Sequence, residues 1–165
     1  TVEEAVARIE SQPRVGGGLL MLADSAGAIA SLEVSNTRVE RRVAKQGRLF
    51  HTNQLQCDPM RTLQLHPNAV YGDRAPTLLR GRRVHESAEC RSNAIEQQLP
   101  AFAPIGLNEM HRVLSDHSEG NSENSVCMHG EVWETTACTQ LVPEEGLMRI
   151  SFSTACEAEF TEFVA

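Results

Sequence analysis

Residues 19–35 read LLMLADSAGAIASLEVS, and this stretch decides the fold. Two apolar runs flank a turn at Ala26-Gly27. The second run places every other residue on one face of an extended strand, and these residues are Ala28, Ala30, Leu32 and Val34. Two apolar strands joined by a short glycine-containing turn predict a β-hairpin.

Further turn signals extend the hairpin. Asn36-Thr37 leads into residues 38–43, and Gln46-Gly47 leads into residues 48–54, which read RLFHTNQ. Each of these stretches is short enough and apolar enough to form a strand. Four successive strands predict an antiparallel meander.

A helix is predicted before the hairpin. Thr1 and Glu4 have the spacing of a capping box, in which each side chain satisfies a free backbone N–H group. A helical apolar stripe follows and ends near Pro13. The stripe consists of Val2, Val6 and Ile9.

The rest of the chain predicts two or three helices and then three strands. Residues 76–100 have a helical pattern with a weak point at Gly81, and residues 106–120 have another. The expected strands lie at 125–132, 134–142 and 146–153. This order is typical of a single α+β domain over residues 1–165, with seven antiparallel strands and helices on one side. The other face of such a sheet is left to be covered.

Composition excludes several classes of protein. Of the 165 residues, 41% are hydrophobic and 22% are charged, as in a globular protein. A net charge of -7 and only 4% aromatic residues argue against a nucleic-acid partner. No apolar run reaches the ~20 residues that span a bilayer, so no membrane partner is expected. The N-terminal residues carry no signal peptide.

The cysteines predict a reducing compartment. All five are scattered without a CxxC pair, which argues against a disulfide framework and against a structural zinc site. We therefore expect a cytoplasmic protein without a bound metal or cofactor.

Residues 51–54, His-Thr-Asn-Gln, are the strongest local anomaly, because a strand interior would not choose four polar side chains. One interpretation is a strand end capped by polar groups. The other is that the strand presents the Asn53 amide to a developing oxyanion, with His51 on the same face by the period of two.

Cys127 and His129 form a second candidate pair. They could be metal ligands, or a thiol nucleophile beside a base, but neither possibility has a recognisable local signature. The favoured interpretation is that Cys127 is a small buried hydrophobic residue.

Three other residues or segments invite a catalytic hypothesis. Residues 116–119, Asp-His-Ser-Glu, suggest a triad, but triads are assembled from separate segments, and a helix C-terminus explains His117 better. His111 lies on an apolar stripe and is interpreted as a core histidine. Thr1 could be an N-terminal nucleophile, but the capping box gives it a structural role.

Several ordered segments resemble the acyl-coenzyme A:6-aminopenicillanic acid acyltransferases, which are cysteine-type N-terminal-nucleophile (Ntn) hydrolases. The similarity extends over essentially the whole chain. The matching segments are TVEEAVARI, LLMLADSAGAIASLEVS, LFHTNQ, HRVLSDHSEG with SVCMHGE, TTAC and ISFSTACEAEF.

The resemblance implies a four-layer αββα sandwich and acyl transfer through an N-terminal cysteine exposed by autoproteolysis. That cysteine attacks an amide or acyl thioester, its own α-amino group is the base, and an amine or water resolves the acyl-enzyme. In the family an Asn after a Thr is the oxyanion donor. The resemblance therefore assigns Asn53, Thr52 and His51 to the catalytic site.

Two departures from the family pattern qualify the transfer. The family's nucleophile lies upstream of the segment that matches TVEEA, so we expect this chain to be a C-terminal portion whose partner is a nucleophile-bearing segment or chain. Met128 and Gln54 also stand where the family usually has Arg and His. Alone, the chain is expected to be inactive and to self-associate through its uncovered sheet face.

Two alternatives remain at this point. The chain could be a noncatalytic relative or an isolated half-domain that binds a partner. It could also be a complete cysteine or zinc enzyme, which would require Cys127 or Cys57 to meet a histidine in space.

Overall fold

A computed structural model of the protein describes residues 1–99 and 105–165. Within these ranges the fold is mixed α+β, as predicted, with four helices and two three-stranded antiparallel sheets. The helices are α1 (Val2–Ser11), α2 (Asp58–Arg61), α3 (Glu86–Gln98) and α4 (Leu107–Leu114). The strands are β1 (Gly18–Ala23), β2 (Ile29–Val34), β3 (Val39–Val43), β4 (Cys138–Val142), β5 (Leu147–Ser151) and β6 (Thr161–Val164).

The chain forms two compact units. Unit 1 comprises residues 1–64, 142–147 and 165, and unit 2 comprises residues 65–141 and 148–164. The single domain expected over 1–165 stays a prediction. Among the residues described, every helix is too short or too polar to cross a bilayer.

The predicted hairpin is present in unit 1. Strand β1 pairs antiparallel with β2, with Leu20 opposite Leu32, and β3 pairs with the other edge of β2. Helix α1 packs on this sheet because Val2 and Val6 meet Ala30 and Leu32 in one buried cluster. The capping box at Thr1 is also confirmed.

Asp24 ties helix α1 to the β1–β2 turn. Its carboxylate accepts a hydrogen bond from the backbone N–H of Val2 at 2.9 Å, and two more from Ala28 at 3.0 Å and Ala26 at 3.1 Å. These three donors, led by Val2, hold the pKa of Asp24 below its ordinary value. One carboxylate therefore fixes both the start of the helix and the shape of the turn.

We predict that Asp24→Ala lowers the melting temperature at pH 7, whereas Asp73→Ala, at an exposed site, does not. Because the folded state lowers the pKa of Asp24, its contribution is complete above about pH 4 and is lost as pH falls through the lowered folded value. The difference in melting temperature between wild type and Asp24→Ala should therefore be smaller at about pH 3 than at pH 7. A gap of constant size in thermal melts across this range would contradict the assignment.

The strand predicted over residues 48–54 is absent, which is a correction. The turn expected at Gln46-Gly47 is present, with positive φ at both residues, and Arg48 forms a single bridge to Lys45. Beyond it the backbone bonds to side chains instead of to a neighbouring strand. The carbonyl of Phe50, for example, accepts from the Arg42 guanidinium at 3.1 Å.

The helix predicted from residue 76 begins only at Glu86. Residues 77–79 form a single 3₁₀ turn that ends at Arg80, and Gly81 then adopts a φ of 78°, which a glycine tolerates. The N–H of Gly81 then donates to the Tyr71 carbonyl at 2.9 Å, so this backbone pairs with residues 69–71. The last predicted helical position, residue 100, lies outside the described ranges.

The strand predictions of the second half are correct in part. β4 and β5 lie within the predicted 134–142 and 146–153, but 125–132 is not a strand and β6 was missed. Met128 exchanges hydrogen bonds with Thr135 and thereby closes a tight loop where a strand was expected. Helix α4 ends at Leu114, before the expected residue 120. The described residues thus form two small sheets instead of one seven-stranded sheet.

Candidate active site

A buried carboxylate organises the segment that contains the predicted site. Glu33 lies on β2, the central strand of its sheet, and is 0% exposed. It accepts hydrogen bonds from His51 Nε2 at 3.0 Å, from the backbone N–H of Gln56 at 2.6 Å and from that of Cys57 at 3.1 Å. A buried charge needs such compensation, because an unpaired one costs several kcal/mol or more.

The segment 50–57 is held at further points. The side chain of Gln64 accepts from the Leu55 N–H at 2.7 Å and donates to the Leu55 carbonyl at 2.9 Å. Together with the Arg42 contact to Phe50, these bonds replace the ladder that a strand would have supplied. The segment is an irregular loop with a fixed backbone path.

The three predicted site residues occupy different environments in this loop. The His51 side chain is buried against Glu33, Thr52 is buried, and Asn53 is exposed. The expectation that His51 and Asn53 share a strand face is wrong, because residues 51–54 do not form a strand and the chain bends at residues 53–54. Whether Asn53 donates to an oxyanion stays a prediction.

The four cysteines with perturbed acidity are poor nucleophiles in their present surroundings. Burial raises the pKa of Cys57, Cys90, Cys127 and Cys138, and nearby carboxylates add to the effect at Cys57 and Cys90. A raised pKa lowers the thiolate fraction at neutral pH, and the thiolate is the reactive form. Cys127 packs in a buried cluster with Cys138 and Ala155, as its interpretation as a buried hydrophobic residue predicts.

Thr1 is engaged structurally. Its hydroxyl accepts from the Glu4 N–H at 3.3 Å and donates to the Glu4 carboxylate at 2.8 Å. The geometry favours the cap over a nucleophile.

The two histidines around helix α4 differ in role. His111 Nε2 donates to the Ala155 carbonyl at 2.7 Å, and its ring packs edge-on against Phe160, so it is a satisfied histidine as predicted. His117 lies beyond the end of α4, and its ring centre is 5.0 Å from that of His129. The Ser118 hydroxyl donates to Asp116 rather than to the adjacent His117, so the triad order is not formed there.

Comparison with protein families gives the class of protein. The model of the acyl-coenzyme A:6-aminopenicillanic acid acyl-transferase family matches residues 1–153. The chain therefore belongs to this family of Ntn acyltransferases, as the sequence resemblance implied. Comparison with curated protein sequences gives no significant match.

Sequence reasoning missed Glu33. A signal was present, because Glu33 stands between Leu32 and Val34 in a strand whose flanking strands bury it on both edges. A carboxylate at the centre of a short sheet needs partners from elsewhere in the chain. The segment at 51–57 supplies these hydrogen-bond partners for Glu33.

We predict that Glu33→Ala lowers the free energy of unfolding by roughly 3 kcal/mol or more, because each buried donor left without an acceptor costs about 1–3 kcal/mol. His51 and the two backbone N–H groups would lose their shared acceptor. The matched control is Glu10→Ala, at an exposed position on α1, which should change stability by less than about 0.5 kcal/mol. Urea denaturation followed by circular dichroism measures both. Equal effects for the two variants would show that the carboxylate does not hold the loop.

Proposed function

We propose that this protein carries out acyl transfer or amide hydrolysis through a cysteine acyl-enzyme, with Asn53 as an oxyanion donor. Membership in the acyltransferase family over residues 1–153 supports the reaction class. In this proposal the nucleophilic cysteine comes from outside residues 1–165, on a segment or partner chain. The substrate is an amide or an acyl thioester.

The observation that carries the proposal is the placement of Asn53. It is exposed, while the preceding Thr52 is buried and His51 is bonded to the buried Glu33. The chain on both sides of Asn53 is anchored, which limits the positions that its amide can reach. Oxyanion donors are effective when they are oriented before the reaction begins.

The proposed chemistry is a two-step displacement. The sulfur attacks the acyl carbonyl, its proton passes to the α-amino group of the same cysteine, and the leaving amine or thiol takes that proton as it departs. An amine or water then attacks the thioester carbonyl, its proton passes through the α-amino group to the departing sulfur, and the acyl group leaves as the new amide or the free acid. In each step the carbonyl oxygen becomes negative, and the Asn53 side-chain N–H donates to it. Thr52 and His51 act as positioning residues.

The acidity of four of the five cysteines argues against their use as the nucleophile. Cys57, Cys90, Cys127 and Cys138 all have pKa values raised by burial, the opposite of what an activated thiol requires. A cysteine whose own α-amino group is the base does not need a neighbouring histidine or carboxylate.

Exposed apolar side chains favour a partner-binding role as the second candidate. Leu141 on β4 and Phe163 and Val164 on β6 are exposed, as is Phe152 next to β5. When exposed apolar side chains form a contiguous patch, that patch is typical of an interaction site. The proposed occupant is the nucleophile-bearing segment or a second copy of this chain.

We predict that Asn53→Ala in the full-length protein lowers kcat about 10²–10³-fold, because the charge on the oxygen is larger in the transition state than in the substrate. KM and the melting temperature should change little. Asn53→Asp keeps the side-chain size but removes the N–H donors, so it should be at least as impaired. His51→Ala should have a smaller effect, through positioning.

Two controls share this background. Asn36→Ala removes an exposed asparagine from the β2–β3 turn, and Gln54→Ala removes the neighbouring amide. Both should retain turnover, measured as thiol release from a panel of acyl-coenzyme A thioesters and as amine release from simple amides. Normal turnover by Asn53→Ala, or a defect confined to its melting temperature, would refute the assignment.

A further inference from the structure

Four potential metal ligands meet in unit 2. His117, Cys127, His129 and Cys156 each offer one ligand atom, and these atoms all lie within 4.8 Å of one another. They come from three separate segments: the loop after α4, the loop at 127–129 and the 3₁₀ turn Ala155–Glu157. We call these four residues the His₂Cys₂ cluster. The sequence offered only Cys127 and His129 as a pair, because the other two ligands are distant along the chain.

Two of the separations within the cluster match those of a tetrahedral zinc site. His129 Nε2 lies 3.5 Å from Cys127 Sγ and 3.3 Å from Cys156 Sγ. For zinc, bond lengths of about 2.3 Å to sulfur and 2.0–2.1 Å to nitrogen place tetrahedral sulfur and nitrogen ligands about 3.6 Å apart. The two observed separations differ from this sulfur-to-nitrogen distance by only a few tenths of an ångström.

One ligand of the cluster has an unsatisfied nitrogen. His117 Nε2 is buried, and among the described residues it has no hydrogen-bond partner. Buried polar nitrogens nearly always have a partner, so an exception calls for an explanation. A metal ion at the cluster would take up its lone pair.

The surroundings hold the ligands in place. The Cys127 N–H donates to the Asp116 carbonyl at 3.1 Å, which ties this cysteine to the residue before His117. His111 donates to the Ala155 carbonyl at 2.7 Å and thereby fixes the residue before Cys156. Supporting contacts of this kind orient ligands and tune affinity in known metal sites.

We propose that His117, Cys127, His129 and Cys156 bind one Zn²⁺ ion in a closed tetrahedral site. Binding replaces the two thiol protons with one dication, so two protons are released and the centre is neutral. Four protein ligands leave no position for water or substrate, which makes the role structural. The ion would join three segments of unit 2: the loop after α4, the loop at 127–129 and the 3₁₀ turn Ala155–Glu157.

Cys138 supplies an internal comparison. It is buried in the same hydrophobic cluster as Cys127, but it is not among the four ligands that converge. If Cys127 were only a small buried hydrophobic residue, the two cysteines would respond alike to metal. The proposal requires that they differ.

The test uses the untagged full-length protein, reduced and freed of metal, and titrated with Co²⁺ and then Zn²⁺. We expect one Co²⁺ per chain, with the thiolate charge-transfer band and the visible bands of a tetrahedral cobalt centre, both removed by one equivalent of Zn²⁺. Zinc should also raise the melting temperature. These readouts do not depend on enzymatic activity, so they distinguish failure of this proposal from failure of the proposed function.

Variants then assign the ligands. Cys156→Ala changes an exposed residue and should leave the fold intact. It should weaken metal affinity by more than ~100-fold, because changes to residues that only support the ligands cost up to about that much. His117→Ala should do the same, and His111→Gln should weaken binding only about 10–100-fold. Cys138→Ala, the matched buried control, should bind with unchanged affinity.

Three outcomes would overturn the proposal. The first is the absence of a cobalt spectrum in the reduced wild-type protein. The second is a Cys127–Cys156 disulfide, detected by mass spectrometry in protein purified without reductant. The third is unchanged affinity in Cys156→Ala.

Discussion

The Glu33 carboxylate is the constraint on which the predicted active site depends. It is buried on the central strand of the first sheet, where a carboxylate without donors would not be tolerated. Its donors are His51 and the backbone N–H groups of Gln56 and Cys57, so the loop has to return to the sheet at two points. Asn53 lies between those points and is exposed. The placement of an exposed amide on a fixed loop therefore follows from the burial of one acid.

The parts of the fold that depend on neighbouring residues could be predicted from the sequence. The capping box at Thr1, the hairpin at residues 19–35 and the turn at Gln46-Gly47 are local patterns, and all three are present. The sequence of residues 48–54 did not distinguish a strand from an irregular loop. The loop forms because this part of the chain bonds to Glu33, which is distant in sequence. The helix predicted over residues 76–85 was wrong for a similar reason. The N–H of Gly81 donates to the carbonyl of Tyr71, a partner outside the predicted helix.

The geometry of the segment at 51–54 could not be predicted from the sequence. Four successive polar side chains suggested a functional segment and the family resemblance singled out Asn53, whose role stays a prediction. The predicted orientation of these side chains was wrong because alternation between two faces applies only to strands. The chain bends after Thr52, which is buried, and Asn53 is exposed at the bend. The His₂Cys₂ cluster was hidden for a related reason. Zinc signatures rely on ligand pairs close in sequence, whereas His117 and Cys156 approach Cys127 only in the folded chain.

The most direct test of the account is the distance from Asn53 to the reacting carbonyl oxygen. A crystal structure of the full-length protein trapped as the acyl-enzyme, or with a tetrahedral analogue on its nucleophile, gives that distance. The account predicts Asn53 Nδ2 at about 2.7–3.1 Å from the oxygen, with His51 still bonded to Glu33. An oxygen bound by other donors, with Asn53 turned to solvent beyond hydrogen-bond reach, would contradict it.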